Sequence, residues 1–213
     1  MSLRKFATHA VLTAAFISAS LGALMSSTAT AEPVVDHAAP TFTGKTVDGK
    51  TIDLASLKGK TVVLEWTNHE CPFVVKHYDK SSNIPNLQKE FTAKDVVWLQ
   101  VISSAEGKQG HVDAAGAIKV NKARGAAPSN TILDAEGTLA KLYGAQTSPH
   151  FFIINDKGVL VYKGGVDSIP SKKPEDIPAA TNYVREALTA VASGKKVPNP
   201  STKPYGCSIK FAG

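Results

Sequence analysis

The chain has 213 residues, 43% of them hydrophobic and 20% charged, with a formal net charge of +6 and two cysteines. The lysines are interspersed with acids and form no basic block, so the mild excess aids solubility and argues for neither nucleic acid nor a membrane surface as a partner. An even cysteine count leaves a single intramolecular pairing available, Cys71 with Cys207.

Arg4 and Lys5 precede an apolar run from Ala10 to Leu24, and small residues follow up to Ala29-Thr30-Ala31. This is the three-part pattern of a secretory signal peptide, residues 1–31. Its apolar run falls short of the roughly 20 residues that cross a bilayer, and no later segment supplies them, so no stable membrane span is expected after cleavage. Cleavage after Ala31 leaves 182 residues with a charge of +4, enough for one domain in an exported, periplasmic and oxidising setting.

Asp48-Gly49 lies between β-favouring stretches and predicts an N-terminal β-hairpin, after which Asp53 caps a short turn through Leu57. Thr61 to Thr67 has the β-branched content of a buried strand. Pro72 suits the first turn of a helix, so a helix is expected to start at Cys71, to be interrupted at Pro85 and to resume from Leu87 to Phe91. The pattern then alternates: strand Val96 to Ile102, helix about His111 to Lys122, strand Thr131 to Leu133, helix Thr138 to Tyr143. A strand Phe151 to Ile154, a turn at Asp156-Lys157-Gly158, a strand Val159 to Tyr162 and a helix Ala179 to Ala192 complete it. A βαβ start and a ββα end predict an α/β three-layer sandwich with a mixed central sheet, occupying residues 32–193. Residues 194–213, rich in Pro and Gly and carrying Cys207, are expected to be an irregular surface tail.

A cysteine at a helix start sits where unpaired backbone N–H groups favour negative charge, which lowers the thiol pKa and produces a nucleophilic thiolate. The alternatives are an inert core thiol or one half of a permanent bridge.

Ala39-Pro40-Thr41-Phe42, Asp48-Gly49-Lys50, Leu57-Lys58-Gly59-Lys60 and Trp66-Thr67-Asn68 leading to Cys71-Pro72-Phe73-Val74 resemble the redoxin superfamily. That superfamily includes the alkyl hydroperoxide reductase C/thiol-specific antioxidant proteins and exported thioredoxin-like proteins. Tyr143-Gly144-Ala145, Thr147 to Ile153, Val161 to Asp167 and Gly206-Cys207-Ser208-Ile209-Lys210 extend the resemblance over nearly all of residues 32–213. It implies a thioredoxin-like fold of the peroxiredoxin-like branch and a thiol-dependent oxidoreductase, with Cys71 as catalytic nucleophile. The motif is a hybrid. Val74 stands where a dithiol motif has its second cysteine. Leu64 and Asn68 stand where peroxiredoxins have their Pro and peroxide-orienting Thr, with Thr67 one place off. Neither Arg124 nor Arg185 matches the peroxidase arginine.

Ser148-Pro149 resembles the cis-proline that faces the thioredoxin cysteine, whose preceding backbone pairs with extended peptide. The resemblance thus implies Ser148, Pro149 and Thr67 at a substrate site, a protein disulfide or a peroxide as substrate, and an external thiol as electron donor. A thiolate that attacks a disulfide or becomes a sulfenic acid needs a second thiol, and Cys207 is the one available in the chain. A structural Cys71–Cys207 bridge, or resolution of Cys71 by an external partner, are the alternatives.

His69, Cys71 and His77 do not fall on one side of a helix starting at Cys71, so no metal site is expected. Glu65 is read as reaching solvent at its strand end, with tuning of Cys71 as the other option. His150 is read as a surface or hydrogen-bonded histidine before an acid/base, and Trp66 and Phe73 as packing. No motif calls for a cofactor. The rival to a redox enzyme is a binding or metal-handling redoxin-fold protein with a static disulfide.

Overall fold

The computed structural model describes residues 32–212; the proposed signal peptide, residues 1–31, lies outside them. The elements run β1 (Thr43–Lys45), β2 (Thr51–Asp53), β3 (Val62–Trp66), α1 (Pro72–His77), α2 (Asn83–Thr92), β4 (Val97–Ile102), α3 (Ala114–Ala123) and β5 (Asn130–Leu133). They continue with α4 (Thr138–Tyr143), β6 (Thr147–Ser148), β7 (His150–Ile154), β8 (Leu160–Gly164), α5 (Tyr183–Ala192) and β9 (Cys207–Ser208).

Five strands form the central sheet in the order β5-β4-β3-β7-β8. β3 is parallel to β4 and antiparallel to β7, which makes the sheet mixed as expected. Every residue of β3 is buried because helices or the β1–β2 hairpin cover both faces. Side chains alternate across a strand. Val62, Leu64 and Trp66 therefore join the core beneath the hairpin and α4, while Val63 joins the core beneath α1, α2 and α5. The result is the thioredoxin-like α/β sandwich.

Three boundaries differ from the sequence reading. The helix after Cys71 breaks at Tyr78–Ser82, where Ser82 takes φ +52°, and Pro85 sits in the first turn of α2, where its missing N–H costs no intrahelical bond. The C-terminal helix starts at Tyr183, because Asn182 caps it through the Arg185 N–H at 2.9 Å; Pro174–Ala179 form a separate 3-10 turn. The tail is not wholly irregular, since Cys207–Ser208 form β9, antiparallel to β6.

Glu65 is a fourth correction. It is 0% exposed, and its strand parity directs it beneath α1 and α2. Its carboxylate accepts from the Tyr78 hydroxyl at 2.6 Å, the Trp98 indole at 2.7 Å and the Gln88 amide at 3.0 Å. Buried charge is tolerable only when hydrogen-bonded, and this one faces donors alone.

Candidate active site

Cys71 is the N-cap of α1, with Pro72 as the first helical residue. Its N–H donates to the Asn68 carbonyl at 3.0 Å and its carbonyl accepts from Val75 at 2.9 Å, so the loop after β3 and the first helical turn both fix its backbone. The side chain is fully buried among Val63, Val74 and Phe151.

Cys71 is joined to Cys207 in a disulfide with Cα atoms 6.0 Å apart, 136 residues apart in sequence. Cys207 reaches it from β9, where Ser148 pairs with Cys207 and Thr147 with Ser208. The Ser148–Pro149 peptide is cis, and the Ser148 carbonyl oxygen lies 3.1 Å from Cys71 Sγ. In the dithiol state that oxygen is placed to accept a hydrogen bond from the Cys71 thiol. The structure thus gathers Cys71, Cys207, Ser148 and Pro149 at one place.

Thr67 and His150 lie elsewhere. Thr67 donates its N–H to Val101, and its buried hydroxyl, which has no hydrogen-bond partner among the described residues, lines a small cavity with His69, Gly110 and Arg124. His150 packs on Phe152 with ring centroids 4.5 Å apart and accepts the Gln146 N–H on Nδ1 at 3.2 Å. Burial lowers its pKa to about 3, so it is a neutral, hydrogen-bonded histidine.

Asn68, at the peroxidase threonine position, is used in loop closure: it donates to the Gln109 carbonyl at 3.2 Å and accepts from the Glu70 N–H at 3.0 Å. Arg124 lies over the Tyr78 ring at 3.9 Å and Arg185 pairs with Glu90. His77 spends Nδ1 on Asn83 and Nε2 on Tyr205, whereas His69 faces the Thr67 cavity, so the three residues weighed for a metal do not converge.

Sequence reasoning missed a polar cluster beside the disulfide. Tyr205, two residues before Cys207, inserts its hydroxyl between Asp167, to which it donates at 2.5 Å, and His77 Nε2 at 3.2 Å. Lys76, 0% exposed, lies 3.5 Å from Asp167 Oδ2 and donates to the Ile169 carbonyl at 3.2 Å. Burial and the neighbouring Lys76 lower the His77 pKa to about 3, so the neutral ring, accepting from Asn83 on Nδ1, donates from Nε2 to Tyr205. The missed signal was the period-two pattern Tyr205, Cys207, Ile209, Phe211, the mark of a strand with one buried face.

The Redoxin family model matches residues 34–182, more than half of the chain. A stretch of 121 residues is 29% identical to the sporulation thiol-disulfide oxidoreductase A of Bacillus subtilis strain 168, covering 56% of this chain and 67% of that protein. An uncharacterized conserved protein from Geobacillus kaustophilus superposes with a TM-score of 0.68 at 26% identity, over 84% of this chain and 93% of its own. A hypothetical protein from Sinorhizobium meliloti 1021 gives the same TM-score at 23% identity over 85% and 97%, which speaks for the fold. A thiol centre at the end of β3 and a family match over most of the folded chain agree: this chain belongs to the Redoxin family and is a thiol-disulfide oxidoreductase-like protein.

Proposed function

We propose that this protein is an exported enzyme of thiol–disulfide exchange on protein substrates, with Cys71 as nucleophile and Cys207 as resolving thiol. The observation that carries this reading is the Cys71–Cys207 bridge beside the Ser148 carbonyl. In the dithiol form the Cys71 thiolate attacks one sulfur of a substrate disulfide, giving a mixed disulfide, and the other substrate sulfur leaves as a thiolate and takes a proton. The Cys207 thiolate then attacks Cys71 Sγ, the substrate departs as its second thiol, and the protein is left oxidised. An external dithiol reduces it again, so two electrons pass from that donor to the substrate. Residues 1–31 serve as the export signal, 32–193 as the redoxin domain and 194–213 as the tail that carries Cys207.

Disulfides are favoured over peroxides as substrate because Asn68 is engaged in its loop and both arginines of residues 32–213 are occupied away from Cys71. A permanent bridge is the second reading, supported by the complete burial of Cys71. Titration of the bridge in glutathione buffers, with Cys71→Ser and Cys207→Ser as controls and thiol state read by mass, separates the two. A potential near the range of catalytic disulfides, about −120 to −270 mV, supports exchange; one below about −300 mV supports a fixed staple.

A further inference from the structure

The chain places its own C-terminus where a substrate strand belongs. From Thr202 onward the tail crosses the edge of the fold in extended form. Thr202 donates its N–H to the Lys163 carbonyl at 3.0 Å, Ser148 pairs with Cys207, and Ala105 donates to the Lys210 carbonyl at 2.9 Å. Alternate side chains turn inward. Tyr205 enters the Lys76–His77–Asp167 cluster with its ring edge-on to Phe73 at 5.7 Å, Cys207 meets Cys71, and Ile209 and Phe211 pack against the core beneath α4. Gly206 passes over β6 at φ +149°, and a Cβ there would fall on the Ser148 carbonyl. Backbone pairing with pockets for alternate side chains is how a sheet edge recognises an extended peptide.

We propose that this tail is a built-in copy of the substrate. When Cys207 is released, an extended segment of a partner polypeptide takes its place, carrying the target cysteine, a glycine just before it and a tyrosine two residues before it. The inference rests on the exchange function proposed above and adds the substrate class to it.

The tyrosine requirement follows from what the tail leaves behind. Without the Tyr205 hydroxyl, the neutral His77 loses the acceptor for its Nε2–H, the next oxygen being Asp167 Oδ2 at 3.7 Å, beyond hydrogen-bond distance; Asp167 Oδ1 keeps only the Ile169 N–H at 3.1 Å, and Oδ2, with Lys76 Nζ at 3.5 Å, accepts no hydrogen bond. Unpaired buried polar groups are costly, so the pocket selects a side chain that both accepts from His77 and donates to Asp167. A phenol does both. Phenylalanine fills the volume and satisfies neither group. Tail and substrate cannot share the groove, so the return of Cys207 displaces the substrate strand as it resolves the mixed disulfide.

The test uses reduced full-length Cys207→Ser protein and synthetic peptides with the sequence of residues 204–211, whose cysteine is capped as a disulfide with nitrothiobenzoate. Attack by the Cys71 thiolate joins the peptide to Cys71 and releases the coloured nitrothiobenzoate. The peptide with tyrosine should react about tenfold faster or more than those with Tyr205→Phe or Tyr205→Ala, the factor expected for one hydrogen bond to a charged group. A Gly206→Ala peptide should be slow as well. In protein carrying Asp167→Asn, the gap between tyrosine and phenylalanine peptides should close. Equal rates for all peptides, with normal reaction toward dithiobis(nitrobenzoate), would overturn the substrate-copy inference alone. No reaction even with that small reagent would overturn the exchange function as well. A mixture of reduced Cys207→Ser protein with Cys71→Ser protein whose Cys207 is capped as a disulfide with nitrothiobenzoate adds an arm: rapid disulfide-linked heterodimers, with release of nitrothiobenzoate, would identify the occupant as a second copy and reject the separate partner.

Discussion

The indole N–H of Trp98 on β4 donates to Glu65 on β3 at 2.7 Å, one of three donors that converge on a fully buried carboxylate. Glu65 Oε1 faces the Tyr78 hydroxyl, and Oε2 faces Gln88 and Trp98, so neither oxygen has an acceptor to which a proton could be donated. Tyr78 in turn accepts from Gln88 at 2.8 Å and Gln100 at 2.7 Å, which uses both of its lone pairs.

Glu65→Gln, although isosteric, should therefore destabilise the protein by about 1–3 kcal/mol, because its amide would point two donors at a hydroxyl or an indole that is itself donating. Urea unfolding of the oxidised protein measures this. A neutral effect would mean that Glu65 is protonated in the fold.

Acid should act first through histidine. Burial holds His77 and His150 at about 3, below the ordinary 6.5, so the folded state stays unprotonated where the unfolded chain takes up protons. The stability these groups contribute is present above pH 6.5 and is lost as pH falls toward 3, with a slope approaching about 1.4 kcal/mol per pH unit for each. Burial raises Glu65 from 4.5, which has the opposite sign: its contribution is full below 4.5 and is lost as pH rises through the folded value. Between pH 6.5 and 4.5, unfolding curves of His150→Gln should show a shallower pH slope than the parent protein. An unchanged slope would show that His150 titrates normally in the fold.

Reduction of Cys71–Cys207 opens a loop of 136 residues. On the chain-entropy model the loss of stability is about 5 kcal/mol, and measured bridges of this kind more often give 2–4. Guanidinium unfolding with and without reductant gives the value directly. A loss below about 1 kcal/mol would show that the tail contributes little to holding the fold.

Gly206→Ala should make the bridge easier to reduce. Alanine is strained at φ +149° and its Cβ meets the Ser148 carbonyl, both in the docked, oxidised form. Strain of about 1.4 kcal/mol corresponds to an upward shift of about 30 mV in reduction potential. An unchanged potential would show that β9 can leave β6 without opening the disulfide.

Cys71 at a strand-to-helix junction and the order of strands and helices were legible because each rests on local chemistry: a proline at a helix start, β-branched runs, Asp-Gly turns; Ser148-Pro149 was marked only by its resemblance to the thioredoxin cis-proline. Glu65 was not. Its burial depends on donors that arrive from Tyr78, Gln88 and Trp98, residues 13 to 33 positions away. The Lys76–His77–Asp167 pocket was hidden for the same reason, since it exists only once the tail brings Tyr205 across a separation of 128 residues from His77. Pro and Gly in the tail signalled irregularity and concealed both the pairing of Ser201 with Lys163 and the alternation that begins at Tyr205.

Because the tail is tied to β8 at Thr202, residues 203–212 search only a small volume when they are free. Short flexible tethers of this kind give effective concentrations in the millimolar range. A free polypeptide present at micromolar levels would then lose the groove to the tail by about a thousandfold if the two bound equally well. Covalent capture removes that handicap, since a substrate held by a sulfur–sulfur bond to Cys71 cannot be displaced by binding alone. If the exchange function and substrate groove proposed above hold, the tether filters partners by chemistry: a segment that docks without a disulfide is swept out, and one that brings a disulfide stays until Cys207 attacks.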